Sequence, residues 1–478
     1  MKKDLFSRIG FILAGLGMAI GTGNIWRFPR MVATYGGGAF LIPWVIALFL
    51  WSIPLLIVET SLGKHFRKGV VGTLKEIFGE KYAFLGGFVA GVSLFITFYY
   101  AVVMGWCIYY FLFAVIKGFQ NLTPQQAQKI WESFSNSNLP VLFQIIAIIL
   151  GISIVIGGIK KGIEKANKIL LPSLLILMVI LVIYALSLKG SYEGLKYLFG
   201  VNLDYLGRAE VWVQAFSQSA WSTGAGWGLL LTYAVYLHEK EDTVSNSSII
   251  AIGDSIASLL AGLIVIPTIF ALLPTKEAFK AIQSGNVGLS FIWFPSLIGK
   301  IHFGRFFGIL FFLALIFAAL SSFISLLELG VRILIDWGME RKQAAILTGI
   351  SVFFFGLPSA FNLNVLNNQD WVWGLGLLIS GIIFVSAVYK IGGEKLREEI
   401  INPYTSIKLG KFFDFLVKYL IPVQFSILIG WWIYNGIKWT GKYWWHPFKV
   451  YSVGTCIYQW SFLIFLLFLI NKLLVRKK

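Results

Sequence analysis

Charge is scarce in this sequence. Only 13% of its 478 residues are Asp, Glu, Lys or Arg, and 58% are hydrophobic. An average soluble domain carries about 25% charged and about 45–50% apolar residues. The deficit excludes a cytosolic enzyme, a disordered chain and a fibrous repeat together. Cysteine is nearly absent: Cys107 and Cys456 lie far apart, each inside an apolar run, which is no disulfide framework. The four histidines, His65, His238, His302 and His446, show no ligand spacing, so no structural metal site is expected. No nucleophile–base pair is visible either, and no enzyme is expected.

Acidic residues are the scarcer sign, 22 against 40 basic, for a net charge of +18. In a soluble chain that excess would suggest nucleic acid. Here the basic residues sit in short segments between apolar runs, and the positive-inside rule is the better reading. No nucleic-acid partner is expected; the partner is the lipid bilayer.

Apolar runs fall near 9–30, 38–63, 84–116, 140–159, 169–188, 209–236, 243–273, 304–335, 343–358, 370–390, 413–437 and 450–471. Each is long enough for a spanning helix of about 20 residues or near it, so the pattern predicts an all-α polytopic membrane protein with twelve transmembrane helices. The start, Met1-Lys2-Lys3 before an apolar stretch, imitates a signal peptide, but no small-residue cleavage site follows, and a retained first helix is expected. With the N-terminus inside, about 24 basic residues fall on inner segments and about 14 on outer ones, which puts both termini in the cytoplasm. Trp26, Trp44, Trp371, Trp373, Trp444 and Trp445 fall near the expected interfaces, as an aromatic belt requires.

Glycine is concentrated in two spans: Gly15, Gly17, Gly21 and Gly23 in the first, Gly224, Gly226 and Gly228 in the sixth. Glycine costs about 1 kcal/mol in a helix interior, so such clusters mark either close helix packing or a broken helix. One cluster opens a block of five spans and the other opens the next five. An odd number of spans per block inverts the second block in the membrane. Glycine-interrupted segments at matching positions of two halves point to a transporter's central site. The expected organisation is a single transporter domain, with one repeat over about 8–188, the second over about 209–390, and peripheral helices 11 and 12 over about 413–471. These last two carry no polar centre; they serve packing or leave a homodimer surface.

Several motifs are more specific. Arg8-Ile9-Gly10-Phe11 with Gly21-Thr22-Gly23-Asn24-Ile25-Trp26-Arg27-Phe28-Pro29 resembles the first helix of the neurotransmitter:sodium symporter family. So do Gly36-Gly37-Gly38-Ala39-Phe40-Leu41-Ile42-Pro43, Pro54-Leu55 with Glu59, Gly162-Ile163-Glu164-Lys165 and Gly288-Leu289-Ser290-Phe291. The resemblance runs from about residue 7 to 400. It implies the leucine-transporter fold, two inverted five-helix repeats with discontinuous helices 1 and 6, in the plasma (inner) membrane.

The chemistry of the residues agrees. Unwinding the first span near Ala19–Gly23 frees carbonyls that suit Na⁺, and exposes N–H groups that suit a carboxylate. An amino-acid zwitterion needs both. The resemblance implies two Na⁺ ions and no organic cofactor. One sodium site would use Ala19, Asn24, Ser222 and Asp254; the second would use the Gly17, Ile20 and Ala318 carbonyls with the Ser321 and Ser322 hydroxyls. Back-bonding to their own helix is the alternative use of those two serines. Tyr100 matches the tyrosine that donates to the substrate carboxylate. Ile96, Trp221, Gly224, Trp227 and Leu326 would line the side-chain pocket, with Ala19, Thr22, Gly23, Ser222 and Ser322 completing the substrate site. Gly21 stands where members for biogenic amines carry an aspartate, which favours an amino acid over a monoamine.

Asp254 replaces an asparagine, and Trp44 a tyrosine, of the chloride-using members, while Ser258 sits at their chloride ligand. A carboxylate at Asp254 supplies the negative charge itself, so chloride independence is expected; a proton carried by Asp254 is a second use of the group. Arg27 and Asp370 match an outer gate pair. Asp336 matches the inner gate acid, for which this chain offers Lys2 or Lys3 as partner, with Leu5 where a tryptophan is usual. The expected function is a sodium-coupled symporter of a neutral amino acid working by alternating access. A sodium-independent exchanger of the same fold and a non-transporting amino-acid sensor remain as alternatives.

Overall fold

The computed structural model describes residues 5–475. Among them there is no β-strand, only an isolated antiparallel bridge between Gly37 and Val201. The first span is two helices, α1 (Arg8–Ala19) and α2 (Thr22–Thr34), bent by 52° at the break. Next come α3 (Gly38–Phe66), α4 (Glu80–Ile116), α5 (Leu139–Ile156) and α6 (Ile159–Ser187). The sixth span is again broken, into α7 (Ala209–Thr223) and α8 (Leu229–Ala234). After it follow α9 (Thr243–Leu272), α10 (Gly285–Ile298), α11 (Gly304–Asp336), α12 (Arg341–Phe361), α13 (Leu363–Ile391), α14 (Lys411–Tyr443) and α15 (Val453–Leu469). Nine of the described helices are each long and apolar enough to cross a membrane, and the bent pair makes a tenth. The broken sixth span and the shorter α15 account for the remaining two apolar runs. The protein is a multi-pass membrane protein.

The end of the bundle holding the start of α1 is called inner below, and the opposite end outer. Two helices run further than hydropathy indicates. Helix α6 begins at Ile159, because its inner turns carry Lys160, Lys161, Glu164, Lys165 and Lys168 beyond the apolar stretch. Helix α13 begins at Leu363, so Asn364, Asn367, Asn368, Gln369 and Asp370 are helical. The tryptophans also divide. Trp444 and Trp445 are exposed, as an interfacial belt requires, whereas Trp44, Trp371 and Trp373 are buried inside the bundle, and Trp44 packs on Phe28 at 4.6 Å between rings.

The broken spans sit at the centre. Helix α1 packs on α6, α9 and α11, while α7 and α8 pack on α3. Gly224, Gly226 and Gly228 all have positive φ, at 71°, 92° and 75°, a region glycine enters without steric cost. A Cβ on Gly226 would also lie 3.0 Å from the Gly381 Cα. The cluster therefore breaks the helix by backbone conformation and brings it against α13. Glu59 of α3 is buried and accepts from the Gly226 N–H at 2.5 Å, which satisfies part of the unwound backbone.

Candidate functional site

Between the two breaks lies a cavity of about 140 Å³. Ala19, Thr22, Gly23, Ile96, Tyr100, Trp221, Ser222, Gly224, Trp227, Ser322 and Leu326 all line it. The residues expected to hold a substrate are therefore together. Sequence reasoning missed other lining groups: Trp106, Gln218 and Asn286 also face the cavity. Asn286 lies on α10, outside the spanning helices, where it accepts from Arg30 Nε at 2.8 Å.

The break in α1–α2 is narrower than expected, confined to Ile20 and Gly21. It turns the positive end of α2 toward the cavity, where the Thr22 N–H donates to the Tyr100 hydroxyl at 3.3 Å. An ideal Cβ on Gly21 would lie 2.9 Å from Ser322 Oγ and 3.1 Å from the Tyr100 hydroxyl. The position has no room for a side chain without displacing both. At the adjacent Gly23 the same atom would meet nothing within 4 Å.

Beside the cavity, Asn24 Nδ2 donates to Asp254 Oδ1 at 2.6 Å, Ser258 Oγ at 2.9 Å and Ser222 Oγ at 3.0 Å. Ser222 Oγ in turn donates to Asp254 Oδ2 at 2.8 Å. Asn24 Oδ1 accepts from the Gly21 N–H at 2.8 Å. Oxygens from α7 and α9 thus converge on one donor from α2, and the carboxylate among them is fully buried.

On the other face of the break, the two serines of α11 behave differently. Ser322 Oγ reaches the Gly17, Met18 and Ile20 carbonyls of α1 at 3.0, 3.2 and 3.2 Å. Ser321 Oγ bonds back to Ala318 of its own helix at 3.1 Å. The back-bonding alternative therefore describes Ser321, while Ser322 joins α11 to the broken span.

Arg27 and Asp370 both line the cavity and also a larger outer vestibule of about 1120 Å³. They form no ion pair. The Arg27 guanidinium lies over the Trp221 ring at 4.8 Å, and Asp370 accepts from the Tyr99 hydroxyl at 3.1 Å. The cavity and the vestibule share these two residues, so the pair stands between the site and the outer end.

The inner end is shut. Phe6 is fully buried against Phe11, Tyr233 and Tyr236, and its N–H donates to the Tyr236 carbonyl at 3.0 Å. The aromatic ring that packs at this end is therefore that of Phe6, next to Leu5. Lys2 and Lys3 lie outside the described residues. Asp336 is engaged differently from expectation: it pairs with Arg332 one turn back and accepts from the Gly69 N–H at 2.7 Å. A second inner cluster escaped sequence reasoning altogether. Glu328, with no exposure, takes both Arg341 nitrogens at 2.8 and 2.7 Å and the Tyr236 hydroxyl at 2.9 Å. An acid late in an apolar span with an arginine thirteen residues later was its only signal.

A helical bundle whose two broken spans meet at a central cavity is the architecture of a secondary transporter. The chain belongs to the sodium:neurotransmitter symporter family, whose sequence profile matches residues 2–140 and 122–476. It is 36% identical over 449 residues to an uncharacterised sodium-dependent transporter of Methanocaldococcus jannaschii, covering 90% of each chain. It is 26% identical to the human sodium- and chloride-dependent neutral and basic amino acid transporter B(0+), over 81% of this chain and 72% of that one. Among solved structures it resembles MhsT in complex with L-phenylalanine, with a TM-score of 0.79 and 30% identity over 90% of this chain and 99% of the other. The protein is a transporter of a sodium-dependent family and not an enzyme.

Proposed function

We propose that the protein couples the inward movement of Na⁺ to that of a neutral amino acid with an apolar side chain, without chloride, by alternating access. The observation that carries this reading is the convergence of Asp254, Ser222 and Ser258 oxygens on the Asn24 amide beside the cavity. Oxygens that gather around one N–H donor suit a small hard cation equally. Turning the amide would add Asn24 Oδ1 to the set, with the Ala19 carbonyl. The second ion would take Ser321, Ser322 and the Gly17, Ile20 and Ala318 carbonyls.

The substrate's ends follow from the helix ends. The N-terminus of α2 and the Tyr100 hydroxyl suit a carboxylate, and the C-terminus of α7 suits an ammonium group. An apolar cavity of about 150 Å³ accommodates benzene, so the space among Ile96, Trp221, Trp227 and Leu326 suits a mid-sized apolar side chain. Gly21 admits no aspartate there, which argues against a lone amine. The bound L-phenylalanine of MhsT and the amino acids named for the B(0+) transporter support the same substrate class.

Chloride independence rests on the Asp254 charge and on Trp44, whose ring packs on Phe28 where a hydroxyl would otherwise stand. Closure would bring Arg27 to Asp370 on the outer side, and opening would separate Asp336, Gly69 and Glu164 from their partners on the inner side. The two five-span blocks are the parts that would move, with both termini cytoplasmic and α14 and α15 peripheral. Equilibrium binding of radiolabelled amino acids to the purified protein, titrated with Na⁺, tests the reading. Binding that saturates with Na⁺ and fails with K⁺ is expected; affinity equal in the two salts would refute the coupling.

A further inference from the structure

The turn of α13 that carries Asp370 is tied to α15 on both sides of that residue. Asn368 Nδ2 donates to Thr455 Oγ1 at 3.2 Å, and Gln369 Nε2 donates to Gln459 Oε1 at 3.0 Å. The Trp371 indole N–H donates to the Ser452 carbonyl at 3.2 Å, and the Val372 carbonyl accepts from Trp460 Nε1 at 3.1 Å. Ser452 is the N-cap of α15, and Thr455, Gln459 and Trp460 stand in its first two turns. Asp370 is the exception. It is two residues from Asn368 and from Val372, about 200° around the helix from each, and so faces the opposite way. It is exposed in the vestibule, whereas Trp371, Val372 and Trp373 are buried.

These bonds are joined to one another. Gln459 Nε2 donates to Thr455 Oγ1 at 3.1 Å, and Gln369 Oε1 accepts from Trp373 Nε1 at 2.6 Å. Thr455 has no exposure, and its own N–H donates to the capping Ser452 Oγ at 3.1 Å. A continuous chain of contacts thus runs from the start of α15 to the residues flanking Asp370. Tyr99 of α4 adds a contact to the carboxyl group itself. Arg27 is placed differently. It stands on α2, the half-helix that follows the 52° break, with its guanidinium over the Trp221 ring.

We propose that α15 braces the outer gate, with Thr455 and Gln459 as positioning residues that hold the Asp370 turn where Arg27 can meet it. This rests on the alternating-access reading above. A two-pronged contact between a guanidinium and a carboxylate needs a defined geometry, and it forms more readily when one partner is held in place beforehand. Polar side chains between membrane helices also serve as glue, and glue can sit at any level of a helix pair. Among the described residues, the side-chain bonds between α13 and α15 all fall on the turn that carries Asp370. Helix α15 lies outside both five-span blocks, yet it acts on the step that closes the site.

The test uses the full-length protein in liposomes and the radiolabelled amino acid that the wild type accumulates most. Thr455→Val removes the hydroxyl at nearly constant volume, and Thr455→Ser keeps it. Thr455→Val is expected to lower the maximal uptake rate about fivefold, with Na⁺-dependent binding within about twofold of wild type. Thr455→Ser should keep uptake within about twofold. The deciding measurement adds Thr455→Val to Asp370→Asn. A brace that acts through Asp370 has nothing left to hold there, so the double variant should transport within about twofold of Asp370→Asn alone. The same fold loss in both backgrounds is the mark of a packing role and would overturn the proposal. Uptake by Thr455→Val at the wild-type rate would overturn it too. If Thr455→Val does not fold, Gln459→Leu carries the same comparison. If Asp370→Asn takes up the amino acid at the wild-type rate, the gate reading itself fails, and the proposal with it.

Discussion

Asn24 of the outer half of the first span and Asp254 of α9 are joined by a buried 2.6 Å hydrogen bond across the centre of the protein. The contact places a carboxyl group, shielded from water, beside the break in the first span. In a bilayer such a carboxylate is a functional group by default. If it serves as a sodium ligand, Asp254→Asn keeps the shape and removes the charge. A hydrogen bond to a charged group contributes about 1.5–3 kcal/mol, so the half-saturating Na⁺ concentration is expected to rise at least about tenfold. Wild-type uptake should be unchanged when gluconate replaces chloride. Chloride-dependent uptake by the wild type would contradict the charge argument.

Gly21 and Gly23 make a matched pair. Gly21→Ala forces a Cβ against Ser322 Oγ and the Tyr100 hydroxyl, whereas Gly23→Ala projects into open space. Overpacking costs about 1–3 kcal/mol, so Gly21→Ala is expected to weaken amino-acid binding by about tenfold or more. Gly23→Ala should leave thermal stability unchanged and reduce affinity for the bulkiest substrates alone. Equal affinities in the two variants would show that the carboxylate does not bind at this break.

Arg27 and Asp370 stand apart, engaged with Trp221 and Tyr99. On the alternating-access proposal their pairing would belong to the closed state, as a bidentate contact. Asp370→Asn is accordingly expected to retain Na⁺-dependent binding while lowering the uptake rate about tenfold. A binding loss as large as the uptake loss would place Asp370 in substrate contact and not in a gate.

At the inner end, the Glu328 carboxylate is fully buried and Arg341 holds both its oxygens. Removing one partner of a buried pair costs about 3–5 kcal/mol, because it strands the other charge. Arg341→Gln should lower the melting temperature in detergent, and adding Glu328→Gln should restore part of the loss. A double variant less stable than Arg341→Gln alone would mean that the pair is not the source of the stability.

The broken spans were legible because glycine is costly in a helix and clusters only where something requires it. The second cluster even shows the cause, three positive φ values at alternate residues. The positions around Asp254 and Ser322 were legible through the resemblance of the first-helix motif. The inner contacts were not. Glu328 and Arg341 lie on different helices, and Asp336 finds Arg332 on its own helix, a spacing that any helical sequence contains. Hydropathy also could not tell Trp44, Trp371 and Trp373 from Trp444 and Trp445, since lipid and the bundle interior are equally apolar. Nor could it show that Asn367 is helical, because a polar residue lining the vestibule reads as a loop.

Uptake by the protein in proteoliposomes tests the central claim most directly. Each of the twenty amino acids is offered with an inward Na⁺ gradient, or with K⁺ in its place. Two Na⁺ ions moving inward would draw about 2.3 kcal/mol each per 100 mV, enough for roughly 10³-fold accumulation. The account predicts concentrative uptake of one or a few neutral amino acids with Na⁺ and none with K⁺. Uptake indifferent to Na⁺ would make the protein an exchanger, and binding without any uptake would make it a sensor; either result contradicts the account.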